Sequence, residues 1–191
     1  RDKWVMRERF AAAGVPVPRY RRFGLDADPA AVAAAVEYPC VVKPPRLSGS
    51  RGVIRADDPA QRVAAWARTR RLVEEEGAEP DAAFLLVEEY LPGVEVAVEG
   101  LLSGGGLRVL AIFDKPDPLE GPFFEETIYV TPSRLPGATQ AAIAARTAQA
   151  AAAVGLREGP VHAELRIDER GVWPIELAGR SIGGLCGSVL E

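Results

Sequence analysis

A lysine ends an apolar run and stands directly before a loop of glycine, serine and arginine. Residues 39–53 read PCVVKPPRLSGSRGV, with Lys43 closing the run and Gly49 and Gly52 in the loop. Glycines let backbone N–H groups approach a ligand closely, and a neighbouring lysine adds positive charge, so the pattern suits phosphate groups. An ordinary hairpin loop with a surface lysine is the alternative. No lysine follows the glycines as in a Walker loop, and the His-Arg-Asp and Asp-Phe-Gly tripeptides of protein kinases are absent.

Two glutamates are predicted to meet on one face of a hairpin near the end of the chain. In the segment VHAELRI, alternation turns His162, Glu164 and Arg166 away from the core. If residues 169–171 form a three-residue loop, Glu164 lies directly across from Glu176. Opposed like charges destabilise a sheet, so a cation such as Mg2+ is expected between them. The alternative is a two-residue loop, which would shift the register and separate the glutamates.

A third candidate is the segment LVEEYLPGVE, residues 86–95, in which a strand leaves one lobe and a Pro92-Gly93 turn enters the next. Such a connection is a natural hinge, and clefts between lobes are favoured ligand sites. Exposed backbone in this segment could bind the edge of a base. The alternative is a plain connector in which Glu89 faces water.

The segment GRSIG matches the Gly-x-Ser-x-Gly nucleophile elbow of hydrolases and would make Ser181 a nucleophile. That fold needs its acid and its histidine after the serine, whereas the only histidine of this chain, His162, comes before it. The order of the residues therefore argues against a serine hydrolase.

Helices and strands that position these residues follow from caps and periodicity. Capping and proline signals begin helices at Asp2, Asp28-Pro29 and Asp58-Pro59, and an alanine-rich helix covers residues 140–154. Predicted strands cover residues 20–23, 40–43, 53–55, 84–90, 107–114, 125–131, 161–167 and 172–177, and alternation begins another at Val94. On these strands we expect core-facing side chains at Val94, Val96, Val98, Trp173, Ile175 and Leu177.

Composition restricts the class of protein. Of 191 residues 48% are hydrophobic, which suits one domain or two small lobes, and the formal charge of -4 gives no general attraction to nucleic acid. No stretch is long and apolar enough to cross a bilayer, and nothing resembles a signal peptide, so we expect a cytoplasmic protein. Cys40 and Cys186 lie in segments that look buried and are expected to be reduced, and a single histidine argues against a Cys/His zinc site.

The order of these motifs resembles the ATP-grasp superfamily over nearly the whole chain. It runs from Asp2-Lys3 and GVPVP through PCVVKP, SGSRG, VEEYLPGVE and HAELR to PIELAGRSIGG. The runs DKPDPLEGPFFEE and AGRSIGG look most like L-amino-acid ligases and carnosine-synthase-like enzymes. The resemblance implies an α+β ATP-grasp fold, two α/β lobes with mainly antiparallel sheets clasping the nucleotide. The implied parts are a linker helix and connector (1–18), an N-lobe with the phosphate-binding loop (19–91) and a C-lobe with the metal site (92–191).

The resemblance implies an ATP-dependent carboxylate–amine ligase. It would form an amide or peptide bond on amino-acid substrates through an acyl phosphate, with release of ADP and phosphate. Lys3 and Lys43 would contact phosphates of ATP. The loop that would close over them consists of Ser48, Gly49, Ser50, Arg51 and Gly52, and the segment whose backbone would hold adenine consists of Glu88, Glu89, Tyr90 and Leu91. Glu95 would bind the ribose hydroxyls.

By the same resemblance, Glu164 and Glu176 would hold Mg2+ or Mn2+, in agreement with the hairpin argument. Arg180 would stabilise the transferring phosphoryl group, since a planar cation suits charge spread over several oxygens. His162 would contact phosphate or substrate, with a structural role as the alternative. Many relatives carry Asn where this chain has Ala178, which leaves the number of metal ions open.

Substrates and partners follow less directly. Glu125 and Glu126 would meet a substrate ammonium group, with a plain surface loop as the alternative. The expected partners are small carboxylate and amine substrates, without nucleic acid or membrane, and a homo-oligomer stays open. Because the chain starts at Arg1 and stops at Glu191 within an apolar run, we expect a fragment of a longer protein. The alternatives are an ATP-binding module without catalysis in this fragment, or an ATP-grasp carboxylase or other ligase.

Overall fold

Two aspartate–proline pairs begin helices, as the sequence predicts. In the computed structural model, the side chain of Asp28 accepts a hydrogen bond from the backbone N–H of Ala30, and that of Asp58 accepts one from Gln61. The proline that follows each aspartate loses no hydrogen bond, because the first N–H groups of a helix have no intrahelical acceptor. Both helix starts are therefore set by neighbouring residues in the sequence.

The structure describes residues 2–77, 79, 82–183 and 186, and these residues form four α-helices and eight strands. In chain order they are α1 (Lys3–Ala12), β1 (Tyr20–Gly24), α2 (Pro29–Ala34), β2 (Cys40–Lys43), β3 (Ile54–Ala56), α3 (Pro59–Glu75), β4 (Phe84–Glu89), β5 (Val94–Ser103), β6 (Gly106–Lys115), α4 (Gly137–Ala153), β7 (Gly159–Asp168) and β8 (Gly171–Ala178).

These elements belong to two compact units. The first comprises residues 1–4, 18–91 and 119–125, and the second comprises residues 5–17, 92–118 and 126–191. Each contains a four-stranded antiparallel sheet, in the order β1-β4-β2-β3 in the first unit and β6-β5-β7-β8 in the second. The predicted α+β class with antiparallel sheets is confirmed. Residues 1 and 187–191, at the ends of the predicted parts, lie outside the described residues.

In the first unit, one face of the sheet packs against α2 and α3. Val42, Leu85 and Val87 point to this face and form a buried cluster with Trp66 of α3. The neighbouring residues Lys43 and Glu88 alternate to the opposite face. The helices thus cover one apolar face, and Lys43 and Glu88 lie on the other face beside Val41 and Leu86.

In the second unit, the apolar face of the sheet packs against α4. Val96, Val98 and Leu165 form a buried cluster with Ile143 of the helix, as the alternation from Val94 predicts. Val94 itself is 52% exposed because it is the first residue of its strand. A separate cluster anchors α1 to the same unit and consists of Met6, Phe10, Val15 and Ala150, with Leu177 packed against it.

The final hairpin has the predicted pairing of Glu164 with Glu176, but its turn and its register differ from the prediction. The prediction of a three-residue loop is wrong, because Asp168 pairs with Gly171 across a two-residue turn. Glu164 nevertheless lies across from Glu176, since a β-bulge between Glu164 and Leu165 of β7 leaves Ile175 as an extra residue of β8. One prediction about the faces therefore fails as well: Pro174 is buried across from Leu165, whereas Trp173 pairs with Arg166 on the polar face.

The predicted strand at residues 125–131 is also wrong. Only an isolated bridge joins Val130 to Asp114 in this segment. Residues 125–128 are all exposed, and Ile128 is 51% exposed, whereas Tyr129 packs against a buried cluster around Phe113. The segment therefore lacks the alternating buried face of a strand. Its β-branched residues suggested a strand, but burial decides strand formation more strongly than composition.

Two expectations about burial can be compared with the structure. Cys40 is buried, and burial raises the pKa of its thiol to about 11. Cys186 is only half-buried, and both cysteines are free thiols. Within the described ranges, no helix combines the length and hydropathy that a membrane span requires.

Gly93 allows a close approach of two backbone segments in the second unit. Its φ is +92°, and a Cβ at this position would lie 2.0 Å from the carbonyl oxygen of Ile167. We expect Gly93→Ala to lower the free energy of unfolding by about 1–3 kcal/mol for the positive φ, plus about 1–3 kcal/mol for the overlap. Urea unfolding followed by tryptophan fluorescence measures the difference.

Gly155 provides the matched control. Its φ is +82°, but a Cβ there would meet nothing within 4 Å. Gly155→Ala should therefore show the cost of the positive φ alone. Equal losses of stability in the two variants would contradict the close packing of the turn at Gly93.

Candidate functional site

Charged side chains cover the polar face of the second unit's sheet. Paired positions on neighbouring strands place Glu95 across from Lys115 and Arg166, and Glu99 across from His162. Glu164 lies beside them, between Ala97 of β5 and Glu176 of β8. Three strands therefore bring acidic and basic groups into one continuous row.

Ion pairs join this row in alternating sign. The distances are 2.6 Å from Glu99 to His162 Nδ1, 3.5 Å from His162 Nε2 to Glu164, 3.4 Å from Glu164 to Lys115 Nζ, 2.7 Å from Lys115 Nζ to Glu95, and 2.9 Å from Glu95 to Arg166 Nε. Glu126 also binds Lys115 Nζ and accepts a hydrogen bond from the Tyr129 hydroxyl. We call these residues, from Glu99 to Arg166 with Glu126, the charge row.

Burial makes the charge row electrostatically strong. The side chain of Lys115 is 2% exposed, and those of Glu95 and Arg166 are 6% and 5% exposed. Burial disfavours the charged form of Lys115, but the carboxylates of Glu164, Glu95 and Glu126 outweigh it and raise its pKa. Lys115 is therefore a permanent cation among three carboxylates.

The pKa values of two carboxyl groups beside Lys115, those of Glu164 and Glu126, shift in opposite directions. Burial opposes ionisation of Glu164, but His162 and Lys115 outweigh it and lower the pKa of this carboxyl. Burial and the nearby Glu164 charge raise the pKa of Glu126. Glu164 is thus held as a carboxylate, the form that a hard cation binds.

The carboxylates can be compared with a metal site. Among the described residues, oxygens of Glu95, Glu126 and Glu164 lie within 4.8 Å of one another. Lys115 Nζ already binds this group, so the three residues do not by themselves make an ion site. Glu164 and Glu176, paired across the hairpin, offer the carboxylate oxygens that Mg2+ takes as ligands, so their chemistry fits a divalent cation.

Glu95 forms two ion pairs that the sequence did not predict. One carboxylate oxygen binds Lys115 and the other binds Arg166. Contact with ribose hydroxyls would have to be made in addition to these ion pairs. The assignment of Glu95 to ribose stays a prediction, and the structure gives the residue a clear role in holding two buried cations.

In the first unit, Lys43 pairs with a buried glutamate. Lys43 Nζ lies 2.7 Å from Glu88 Oε2, and the side chain of Glu88 is 2% exposed. Lys43 is the last residue of β2, where the chain leaves the sheet and enters the glycine loop. A phosphate at this lysine would therefore be a third partner of an existing ion pair.

Lys3 is attached to the start of the same loop. Its backbone N–H donates to the carbonyl of Pro45 (2.9 Å), and its Nζ donates to the carbonyl of Leu47. Further along, Gly49, Ser50 and Gly52 have positive φ values of 64°, 53° and 71°. Turn conformations can present successive backbone N–H groups to an anion, so a loop of this kind suits phosphate. Ser48, Gly49 and Arg51 are exposed, and Arg51 pairs with Glu76.

The segment assigned to adenine has part of its backbone already bonded. The N–H of Glu89 donates to Arg19, and the N–H of Tyr90 donates to Pro39. The Tyr90 ring lies under the guanidinium of Arg55 at 4.0 Å, and Leu91 is buried. The assignment of this segment to adenine stays a prediction.

Comparison with known proteins identifies the family. The model described as "ATP-grasp domain" matches residues 36–189 of this chain. The chain belongs to the ATP-grasp family. The resemblance inferred from the motifs is thereby confirmed.

Relatives of this ATP-grasp chain include ligases. It is 33% identical over 158 residues to a D-alanine–D-alanine ligase of Aromatoleum aromaticum, covering 82% of this chain and 48% of the relative. It is 26% identical over 185 residues to an alanine–anticapsin ligase of Bacillus subtilis, covering 87% and 38%. The crystal structure of an L-amino acid ligase from Bacillus licheniformis superposes with a TM-score of 0.76 at 32% identity, covering 96% of this chain and 41% of that one. The chain spans about half the length of the curated D-alanine–D-alanine ligases it matches.

The remaining predicted residues of this ATP-grasp chain are placed as follows. Arg180 is half-buried and donates to the carbonyl of Ser181 at 2.7 Å. Glu125 is an exposed residue of the first unit, whereas Glu126 belongs to the second unit and its charge row. Ala178, across from His162, offers no side-chain oxygen to a metal.

Sequence reasoning missed Lys115 and did not pair Glu99 or Arg166. Lys115 ends a strand that contains an apolar run, as Lys43 does, but no glycine loop follows it to indicate a binding site. Glu99 and Arg166 were placed on polar faces, but the strand pairing that joins them to His162 and Glu95 could not be read from either segment alone. Position in the sequence indicated the face of each residue, and only the register supplied its partner.

His162 gives a direct measurement of the charge row. Burial opposes its charge, but the carboxylates of Glu164 and Glu99 outweigh it and raise the pKa of the imidazole to about 9. Because the sequence has one histidine, its NMR titration in the metal-free, untagged chain is unambiguous. We expect a midpoint near pH 9 rather than the ordinary value of about 6.5.

The linked stability has a definite sign. A pKa that is higher in the folded than in the unfolded state adds stability that is complete below about pH 6.5 and is lost as the pH rises through about 9. Glu99→Gln should lower the midpoint, because it removes one of the two carboxylates. A midpoint at or below about 6.5 in the unmodified chain would show that the charge row does not exist in solution.

Proposed function

We propose that this chain binds ATP with Mg2+ and takes part in ATP-dependent amide-bond formation on amino-acid substrates. Family membership and ligase relatives support the reaction class. The observation that carries the proposal is the pairing of Glu164 with Glu176, with Lys115 and His162 holding Glu164 ionised.

The reaction would proceed in two displacements. A carboxylate oxygen of one substrate attacks the γ-phosphorus of ATP, the bond to ADP breaks, and an acyl phosphate forms. The amine nitrogen of the second substrate then attacks the acyl carbon, phosphate leaves with its bonding electrons, and the nitrogen loses a proton to give the amide. The small-molecule partners are thus one carboxylate and one amine.

Residues of this chain supply the electrostatics of these steps. Lys3, Lys43 and the backbone N–H groups of residues 48–52 would bind phosphate oxygens, and Arg180 would face the transferring phosphoryl group. Mg2+ at Glu164 and Glu176 would neutralise phosphate charge and orient the polyphosphate. Arg51 would close over the phosphates with the rest of this loop, and the backbone of residues 88–91 would hold adenine.

Substrate contacts are assigned to the charge row. Glu126 is bound to Lys115 and Tyr129, and burial and the nearby Glu164 charge raise the pKa of its carboxyl group. A substrate ammonium group would stabilise its ionised form. His162, cationic between Glu99 and Glu164, would contact an anionic substrate or phosphate group.

The binding test is calorimetric titration of a non-hydrolysable ATP analogue with and without Mg2+. We expect Mg2+-dependent binding that weakens about tenfold or more in Glu176→Gln. Lys43→Met should be combined with Glu88→Gln, because a buried carboxylate left without its lysine would destabilise the fold by about 3–5 kcal/mol. This double variant should also bind at least about tenfold more weakly, since a bond to a charged group contributes about 1.5–3 kcal/mol.

Glu75→Gln, on the exposed face of α3, is the control and should leave binding unchanged. Unchanged affinity in both site variants would contradict the proposed binding residues. Binding that is indifferent to Mg2+ would contradict the metal assignment alone.

The activity test is trapping of the acyl phosphate by hydroxylamine with a panel of D- and L-amino acids. A ligase gives a hydroxamate together with equimolar ADP. Nucleotide binding without hydroxamate would favour the alternative of a binding module, and ADP release without trapping would indicate ATP hydrolysis alone.

A further inference from the structure

The pairing of Glu164 with Glu176 depends on one extra residue in β8. From the two-residue turn, Asp168 pairs with Gly171, Ile167 with Val172 and Leu165 with Pro174. Continued without interruption, this register would place Ile175 across from Glu164 and turn Glu176 to the apolar face. The bulge at Ile175 moves Glu176 by one position and returns it to the polar face.

A bulge leaves backbone groups outside the ladder. Pro174 has no N–H to donate, and an extra residue in an antiparallel strand disrupts the neighbouring hydrogen bonds. Carbonyls in this part of the strand therefore need donors from elsewhere, because buried backbone groups without partners destabilise a fold.

Arg7 supplies those donors. Its Nη2 donates to the carbonyl of Ile175 at 2.9 Å, and its Nη1 lies 3.5 Å from the carbonyl of Pro174. The residue is 1% exposed and belongs to α1, which is anchored in the second unit by Met6 and Phe10. A guanidinium in a fixed helix thus spans the two carbonyls that flank the bulge.

We propose that Arg7 is a positioning residue for the metal site: its guanidinium fixes the bulge that keeps Glu176 across from Glu164. The inference rests on the proposed function, in which these two glutamates hold the divalent cation. A planar guanidinium can donate to two neighbouring carbonyls at once, whereas a lysine ammonium is a single flexible point charge. The geometry therefore requires arginine rather than any cation.

The test uses Arg7→Met and Arg7→Lys, with Arg9→Met as a matched control. Arg9 lies on the same helix and also donates to a backbone carbonyl, that of Val154, at 2.9 Å, but this carbonyl follows α4 and not the bulge. The measured quantity is the gain in affinity for a non-hydrolysable ATP analogue when Mn2+ is added, compared with its affinity in EDTA. A general loss of stability would lower both affinities, whereas a displaced Glu176 lowers only the gain.

We expect the Mn2+-dependent gain to fall about tenfold in Arg7→Met, with a smaller fall in Arg7→Lys and no change in Arg9→Met. Backbone NOEs between Glu164 and Glu176 should weaken in the Arg7 variants and stay in the control. If Arg7→Met does not fold, Arg7→Lys alone decides the question by the same two measurements.

Glu176→Gln, measured in parallel, separates two kinds of failure. If Glu176→Gln loses the gain while folded Arg7 variants keep both the gain and the NOEs, the positioning role is wrong and the metal site stands. If Glu176→Gln keeps the gain, the proposed metal site is wrong, and the role of Arg7 towards it falls as well.

Discussion

Each carboxylate of the charge row is held beside a buried cation. Glu95, for example, lies between Lys115 and Arg166, all with side chains at most 6% exposed. Burial alone would favour the neutral form of such groups, because removing an ion from water costs several kcal/mol. The alternating order of signs offsets that cost, so the ionised state of each member depends on its neighbours. The sheet register, which sets these neighbours, is therefore the constraint on which the site chemistry depends.

The register of the final hairpin could be predicted only in part from the sequence. Alternation correctly placed His162, Glu164 and Arg166 on one face, and it correctly predicted Glu164 across from Glu176. The prediction was right for a partly wrong reason, because the turn has two residues and a bulge restores the alignment. Pro174 could have indicated the bulge, because a proline within a strand is found at bulges or on edge strands. Its effect on the faces of Trp173 and Pro174 could not be read without the pairing.

Helix starts were easier to predict than partners. Asp28 and Asp58 cap through atoms two or three residues away, so the sequence contains the whole interaction. Lys115 lies far along the chain from Glu164, and Arg7 lies further still from Ile175, so no local pattern joins them. The failed strand at 125–131 has the same cause, because its residues have strand propensity but residues 125–128 are all exposed. Local signals determine elements, whereas long-range burial determines which of them form a site.

Each unit has a lysine at the end of a strand that is paired with a buried glutamate. Lys43 ends β2 and Lys115 ends β6, and each lies 2.7 Å from a buried glutamate of its own sheet. Breaking either ion pair would leave a buried carboxylate without a cation, which is costly. A phosphate would therefore bind the lysine in addition to the glutamate and would not replace it. In the second unit, the positive charge of Lys115 is likewise shared among Glu95, Glu126 and Glu164. A polyphosphate near this lysine would therefore lie close to carboxylates as well. A divalent cation held by Glu164 and Glu176, as proposed, would offset that repulsion, so the metal and the lysine would act together on the phosphates.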